Sequence, residues 1–136
     1  MADDDLPVDR QWLCERIVED AGEAVMFADT DGVIRLWNDA AEELFGYPAE
    51  EAIGETLNLI VPEEFRDAHW QGYDDALAEG ETSSPPVTRT QVPALNASGD
   101  RIQIETSGAR VVTDREGNPV GVFNLIRDVT DADRPE

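Results

Sequence analysis

Three strand-length segments occupy the last third of the chain: Val87 to Leu95, Arg101 to Val112 and Pro119 to Val129. Asn96-Ala-Ser-Gly99-Asp100 and Asp114-Arg-Glu-Gly117-Asn118 separate them, and both breaks carry the Asn, Asp and Gly that tight turns demand. Connections this short join antiparallel strands, because a parallel pair needs a crossover of a dozen or more residues. Ile102 and Ile104 alternate with Arg101, Gln103 and Glu105, as on a strand with one dry face and one wet face. The dry face needs a cover, and the first two thirds of the sequence must supply it.

Asp9 is placed to cap a helix from Arg10 to Asp20, with Leu13, Ile17 and Ala21 on one face and Gly22 as its stop. Ala24 to Ala28 and Val33 to Trp37 read as strands joined by the hairpin turn Asp29-Thr30-Asp31-Gly32. The turn shares Asp-x-Asp-Gly with part of a calcium loop, but Val33 stands where oxygen ligands would have to continue. Asn38-Asp39-Ala-Ala-Glu42 opens a short helix, with a carboxylate three residues beyond Asp39, and Gly46 closes it. Pro48 to Gly54 repeats the pattern on a smaller scale, and Pro62-Glu63-Glu64 opens a longer helix running to about Ala78, before Gly80. Two strands, several short helices and three strands predict an α+β domain: a five-stranded antiparallel sheet with short helices on one face. A chain of 136 residues holds one such domain. The expected organisation is an acidic leader and N-terminal helix over residues 1–22, the domain over 23–130 and a tail over 131–136.

Charge narrows the partners. Asp and Glu total 31 against ten cations, all of them arginine, for a formal net charge of -21. Such a surface repels phosphate backbones and anionic lipid heads, which argues against nucleic acid and membrane partners. The composition resembles that of a cytoplasmic protein from an extreme halophile, in which salt screens the self-repulsion. An acidic disordered chain is a poor match, because apolar clusters recur throughout with strand and helix spacing. A single cysteine excludes an internal disulfide, and one Cys with one His cannot build a structural zinc site. Without lysine there is no Schiff base and no phosphate-loop lysine, and no nucleophile elbow or metalloprotease helix occurs, so a non-enzymatic role is expected. No run approaches the length of a membrane helix, and Met1-Ala-Asp-Asp-Asp lacks the regions of a signal peptide. A soluble, cytoplasmic location is expected.

The segment Ala24-Val-Met-Phe-Ala-Asp-Thr-Asp-Gly-Val-Ile-Arg-Leu-Trp-Asn38, followed by Ala-Ala-Glu-Glu-Leu-Phe-Gly-Tyr47, resembles the opening of a PAS sensor domain. Gly121-Val-Phe-Asn-Leu-Ile-Arg-Asp-Val-Thr130 resembles its closing strand, and the likeness spans about Trp12 to Thr130. It implies the PAS fold, a sheet cupping a small pocket under the helices, and a role in sensing or protein interaction. A histidine kinase or response regulator is then the implied partner, and a homodimer the implied assembly. Within the family, Phe65-Arg66-Asp-Ala-His69-Trp-Gln-Gly72-Tyr73 is similar to the helix of haem-binding PAS domains in oxygen-sensing histidine kinases. There an Arg-x-x-His-x-x-Gly-Tyr pattern carries the proximal iron ligand, and His69 falls on that His. The implied cofactor is haem b, with a diatomic gas (O2, CO or NO) as its ligand. Flavin-binding, light-sensing relatives keep a Cys after the third helix, whereas this chain has Val61-Pro-Glu-Glu-Phe-Arg, so blue-light adduct chemistry is not expected.

Read from the residues alone, His69 shares a helix face with Phe65, Ala68, Gly72, Tyr73 and Ala76, so the one imidazole points at the core, either as a structural histidine or as a ligand. Gly72 costs about 1 kcal/mol against Ala inside a helix; one turn from His69, it leaves room for a flat macrocycle, and Tyr73 extends the apolar wall. Haem propionates need cations, and Arg89 and Arg101 are the expected donors because they lie on or beside strands bordering the pocket. Cys14 has no electropositive setting for thiolate chemistry and is expected as a small buried residue. Trp12 and Trp70 fall on or near polar faces, where each marks either a dimer contact or partial burial under a neighbouring helix. A cofactor-free module for dimerisation or partner binding is the alternative to a haem sensor.

Overall fold

A computed structural model describes residues 7–80, 90–106 and 110–130. The element order is α1 (Arg10–Asp20), β1 (Ala24–Asp29), β2 (Ile34–Trp37), α2 (Asp39–Phe45), α3 (Ala49–Ala52), α4 (Arg66–Glu79), β3 (Thr90–Leu95), β4 (Arg101–Thr106), β5 (Arg110–Thr113) and β6 (Pro119–Asp128). Two short 3-10 turns, Leu57–Leu59 and Glu63–Phe65, lead into α4.

The sheet runs β2-β1-β6-β4-β3, with β5 also paired to β6. Its strands pair antiparallel throughout, and the first and last strands lie side by side at its centre, Ala24 opposite Ile126 and Asp29 opposite Gly121. The single strand expected from Arg101 to Val112 is two segments. β4 pairs Thr106 with Ile126 and β5 pairs Arg110 with Phe123, both on the edge of β6 away from β1. The register slips by one position between them, so the long strand follows β6 only with a break, and the sheet has six strands rather than five.

Alternation along β1 sets the two faces. Ala24, Met26 and Ala28 are buried on the inner face with Ile34, Ala94, Ile104, Val122 and Ile126, packed with Phe45 of α2, Ala52 of α3 and Tyr73 of α4. Val25 and Phe27 face the other way with Leu36, Phe123 and Leu125, where Ile17 and Val18 of α1 and Ala21 just after it border a shallow apolar groove of about 430 Å³. Ile17 stays 60% exposed, so the α1 face read from the spacing is only partly used. Cys14 is exposed on α1 rather than buried, because that short helix has no buried residue.

Caps place the elements. Asp9 accepts the Trp12 amide at 2.8 Å, as its sequence position predicts. α2 is capped one residue earlier than Asp39: Asn38 Oδ1 accepts the Ala41 amide at 3.0 Å, and Glu42 instead accepts the Ala49 amide at 2.6 Å, tying α2 to α3. Asn38 is fully buried and fully used. Its Oδ1 also accepts Val25 N, while its Nδ2 donates to the carbonyls of Val18 and Glu23, so one amide joins α1, β1 and α2. At the hairpin, Asp29 Oδ1 accepts the amides of Asp31 and Val33, and Gly32 takes a positive φ of 75°. Burial pushes the Asp29 carboxyl up, but the Arg35 guanidinium and these two amides outweigh it and hold the pKa below the usual value.

Candidate functional site

Between α4 and the inner face of the sheet lies an apolar cavity of about 350 Å³, within the range of small-molecule sites. The helix supplies Ala68, His69, Gly72, Tyr73 and Ala76. The sheet supplies Met26, Ala28, Val92, Pro93, Ala94, Ile104, Thr106, Val122, Asn124 and Ile126, and Leu57, Ile60 and Val61 complete the lining ahead of α4. Ala68 and Gly72 line the cavity while remaining exposed, so it opens beside the helix.

The helix face read from the spacing is the observed one except at Phe65. That residue ends a 3-10 turn before α4 begins, the helical phase changes there, and its ring is 43% exposed. Arg66 is held at the start of α4 by the carbonyls of Val61 and Asn58, at 3.1 and 3.2 Å. Its guanidinium therefore fixes the entry into the helix that bears His69.

His69 is the chain's one imidazole, and its Nδ1 is buried without a hydrogen-bond partner among the described residues. Burial lowers its pKa below 6.5, which favours the neutral ring. Trp70 meets it edge to face at 4.7 Å between centroids, and Tyr73 lies 5.9 Å away on the next turn. The Tyr73 hydroxyl donates to the carbonyls of Ala28 and Asp29, at 3.1 and 2.5 Å, so α4 is pinned to the end of β1 and the phenol presents its ring to the cavity. Burial, with the charges of Asp29, Asp31 and Asp74, pushes that phenol above its ordinary pKa. A Cβ on Gly72 would meet nothing within 4 Å, so the helix gains no packing inside the fold from its glycine.

Trp70 settles into the molecule. Its indole Nε1 donates to Asn58 Oδ1 at 2.9 Å, and its ring covers Gly32, where a Cβ would stand 2.2 Å from the six-membered ring. Trp12, by contrast, is 51% exposed. Of the two arginines expected at the pocket mouth, Arg101 is in an ion pair with Glu64 and does not line the cavity. Arg89 lies outside the described residues. Asn124 and Thr106 escaped the sequence reading. Asn124 sits on β6 between inward-facing Val122 and Ile126, and its Oδ1 is buried with no partner among the described residues. Strand alternation alone would have put that polar side chain inside.

Among the described residues no cluster of three or more His, Cys, Asp or Glu is arranged to hold a metal ion. No helix among them is long and apolar enough to cross a membrane.

Comparison with known proteins agrees with the geometry. Over 77 residues the chain is 36% identical to the sensor protein FixL of Bradyrhizobium diazoefficiens, covering 57% of this chain and 14% of that protein. Over 46 residues it is 41% identical to the oxygen sensor protein DosP of Escherichia coli, covering 34% of this chain and 6% of that one. The chain thus spans a small fraction of these relatives' length. The PAS domain of a Colwellia psychrerythraea protein superposes with a TM-score of 0.77 at 22% identity, covering 90% of this chain and 99% of that one. The profile of the PAS fold matches residues 13–129, nearly the whole of the described sheet and its helices, and the chain belongs to the PAS family.

Proposed function

We propose that this PAS domain senses a diatomic gas through haem b held by His69. One observation carries the reading: the chain's one imidazole stands in the apolar cavity, with a buried nitrogen that no group among the described residues satisfies. A buried polar atom without a partner costs about 1 to 3 kcal/mol, so an occupant that uses the ring removes a standing penalty. Two further features fit a flat macrocycle. Gly72 leaves the helix wall without a side chain one turn from His69, and the lowered pKa keeps the imidazole in its ligating form. Bound haem would supply an iron with one position left open for a gas. The protein's part is to hold the iron through His69, to orient the ring through the Tyr73 anchor and the Arg66 contacts, and to keep water from an apolar lining. Arg89 and Arg101 are the proposed propionate partners, Arg101 by exchanging Glu64 for a propionate.

The resemblance of Arg66-x-x-His69-x-x-Gly72-Tyr73 to haem-binding PAS helices supports the reading, as does similarity to a protein named as an oxygen sensor. Coupling to a histidine kinase or response regulator is the proposed output. A second reading, a cofactor-free module for dimerisation or partner contact, is favoured by the exposed Trp12 and Ile17 beside the apolar groove under α1. An absorption spectrum after haem addition decides between them. A Soret band that His69→Ala abolishes, with the fold intact by circular dichroism, supports haem ligation. No band in the wild type leaves the module reading standing.

A further inference from the structure

We propose that the haem-free cavity binds a second class of ligand: a neutral, largely apolar molecule of about two fused rings with one O–H or N–H donor, which Asn124 Oδ1 accepts. The inference does not rest on the haem reading; it concerns the same cavity without haem.

Two asparagines carry side-chain atoms buried inside this fold, and the fold treats them differently. Asn38 is fully buried, and its hydrogen bonding is taken up: two backbone amides on Oδ1 and two carbonyls on Nδ2. Asn124 occupies an inward position on β6 next to apolar Val122 and Ile126, yet its Oδ1 is buried with no partner among the described residues. An Asn in the middle of a strand weakens it relative to Val or Ile, and an unsatisfied buried acceptor adds to that cost. An amide oxygen only accepts, so what it lacks is a donor. An occupant whose polar atoms are acceptors alone leaves it unsatisfied. His69 Nδ1, the other unpartnered atom of the wall, sets no such sign, because a neutral ring nitrogen accepts in one tautomer and donates in the other.

The rest of the wall fixes charge and size. No Asp, Glu, Lys or Arg is among the described residues that line the cavity. An ion entering it would give up its hydration without meeting a counter-charge, and an anion is repelled besides by a formal net charge of -21. Burial favours the neutral form of His69, so the helix wall is uncharged as well. The Tyr73 hydroxyl already donates to the carbonyls of Ala28 and Asp29, which leaves its ring as an apolar surface for the ligand. A dry cavity of about 150 Å³ takes one benzene ring, so one of about 350 Å³ takes two fused rings. Fused-ring phenols and indole-type heterocycles meet all three requirements: neutral, two rings, one donor.

The test uses 2-naphthol and 2-methoxynaphthalene, which share rings and oxygen and differ in the O–H. Each is bound to haem-free wild type by equilibrium dialysis. The expected result is a preference of at least about tenfold for 2-naphthol, because the ether shuts water out of the cavity and leaves the buried acceptor unsatisfied. Asn124→Leu removes that acceptor at nearly constant size, and in it the two probes are expected to bind within about twofold of each other, with circular dichroism reading the fold. The wild-type comparison stands without the variant: equal affinities for the two probes, or binding of neither, overturns the proposal. A folded Asn124→Leu that keeps the preference also overturns it, since another group would then accept the O–H. None of these outcomes bears on haem, whose binding is read separately at the Soret band.

Discussion

Replacing Gly72 by Ala should stabilise the protein without ligand and, on the proposed haem reading, weaken its hold on haem, and the two effects have separate origins. Gly72 lies in the interior of α4, six residues into a helix of 14, with ordinary helical backbone. A glycine there costs about 0.8 to 1 kcal/mol relative to alanine through backbone entropy. No steric term opposes the change, since the added methyl would meet nothing within 4 Å. The gain should therefore be close to the full ~1 kcal/mol, which for a domain of this size is roughly 3 to 5 °C in melting temperature. The same methyl projects where the cavity opens, beside His69 and Tyr73. A macrocycle seated on His69 would have to avoid it, and a displacement that costs about 1 to 3 kcal/mol of contact weakens binding by roughly 5- to 150-fold. Thermal melts of the haem-free proteins and haem titrations followed at the Soret band read the two effects independently. A lower melting temperature would mean that Gly72 serves the fold, and unchanged haem affinity would mean that no flat ligand approaches this helix.

Gly32→Ala should destabilise by roughly 2 to 4 kcal/mol, combining the strain of a side chain at positive φ with a Cβ 2.2 Å from the Trp70 ring; a urea midpoint equal to wild type would refute the contact. Screening predicts that melting temperature rises by about 5 °C or more between ~0.1 and ~1 M salt, as the Debye length falls from ~10 to ~3 Å around a net charge of -21. A flat dependence would show that acidic repulsion does not limit stability. For His69, burial sets the folded pKa below 6.5, so the unfolded chain binds its proton first as pH falls. The contribution is absent above that value, stability declines as pH drops below 6.5, and the loss levels off beneath the folded pKa. Melts of wild type and His69→Ala across this range should differ in slope there and nowhere above it.

Local signals carried far along this chain. The bounds of α1, the Asp29–Gly32 turn and the glycine stops at Gly46 and Gly80 depend on neighbours within a few residues, and each is where its spacing predicts. The face of α4 that holds His69 was legible for the same reason, up to the point where a 3-10 turn changed the phase and turned Phe65 outward. What stayed hidden depends on distant partners. The break between β4 and β5 is set by pairing with β6, and the burial of Trp70 by a glycine in the β1–β2 turn. Arg101 looked like a free cation until the fold brought Glu64 beside it. Asn124 stood in plain alternation on its strand, but an Asn among apolar residues says nothing of whether the fold will satisfy it.

The pairing of β1 with β6 has a kinetic consequence. Ala24 and Ile126 are about a hundred residues apart in sequence, so the centre of the sheet forms only after a loop of that length has closed. A topology of such high contact order folds in milliseconds to seconds rather than microseconds. Met26 and Ala28 from the early strand, His69 and Tyr73 from the helix, and Asn124 and Ile126 from the last strand share one cavity. A chain cut between α4 and β3 would carry part of the wall on each piece and the pocket on neither. The cavity and the folded state therefore form in a single cooperative event, and any occupant that prefers the cavity holds the first and last strands together by mass action.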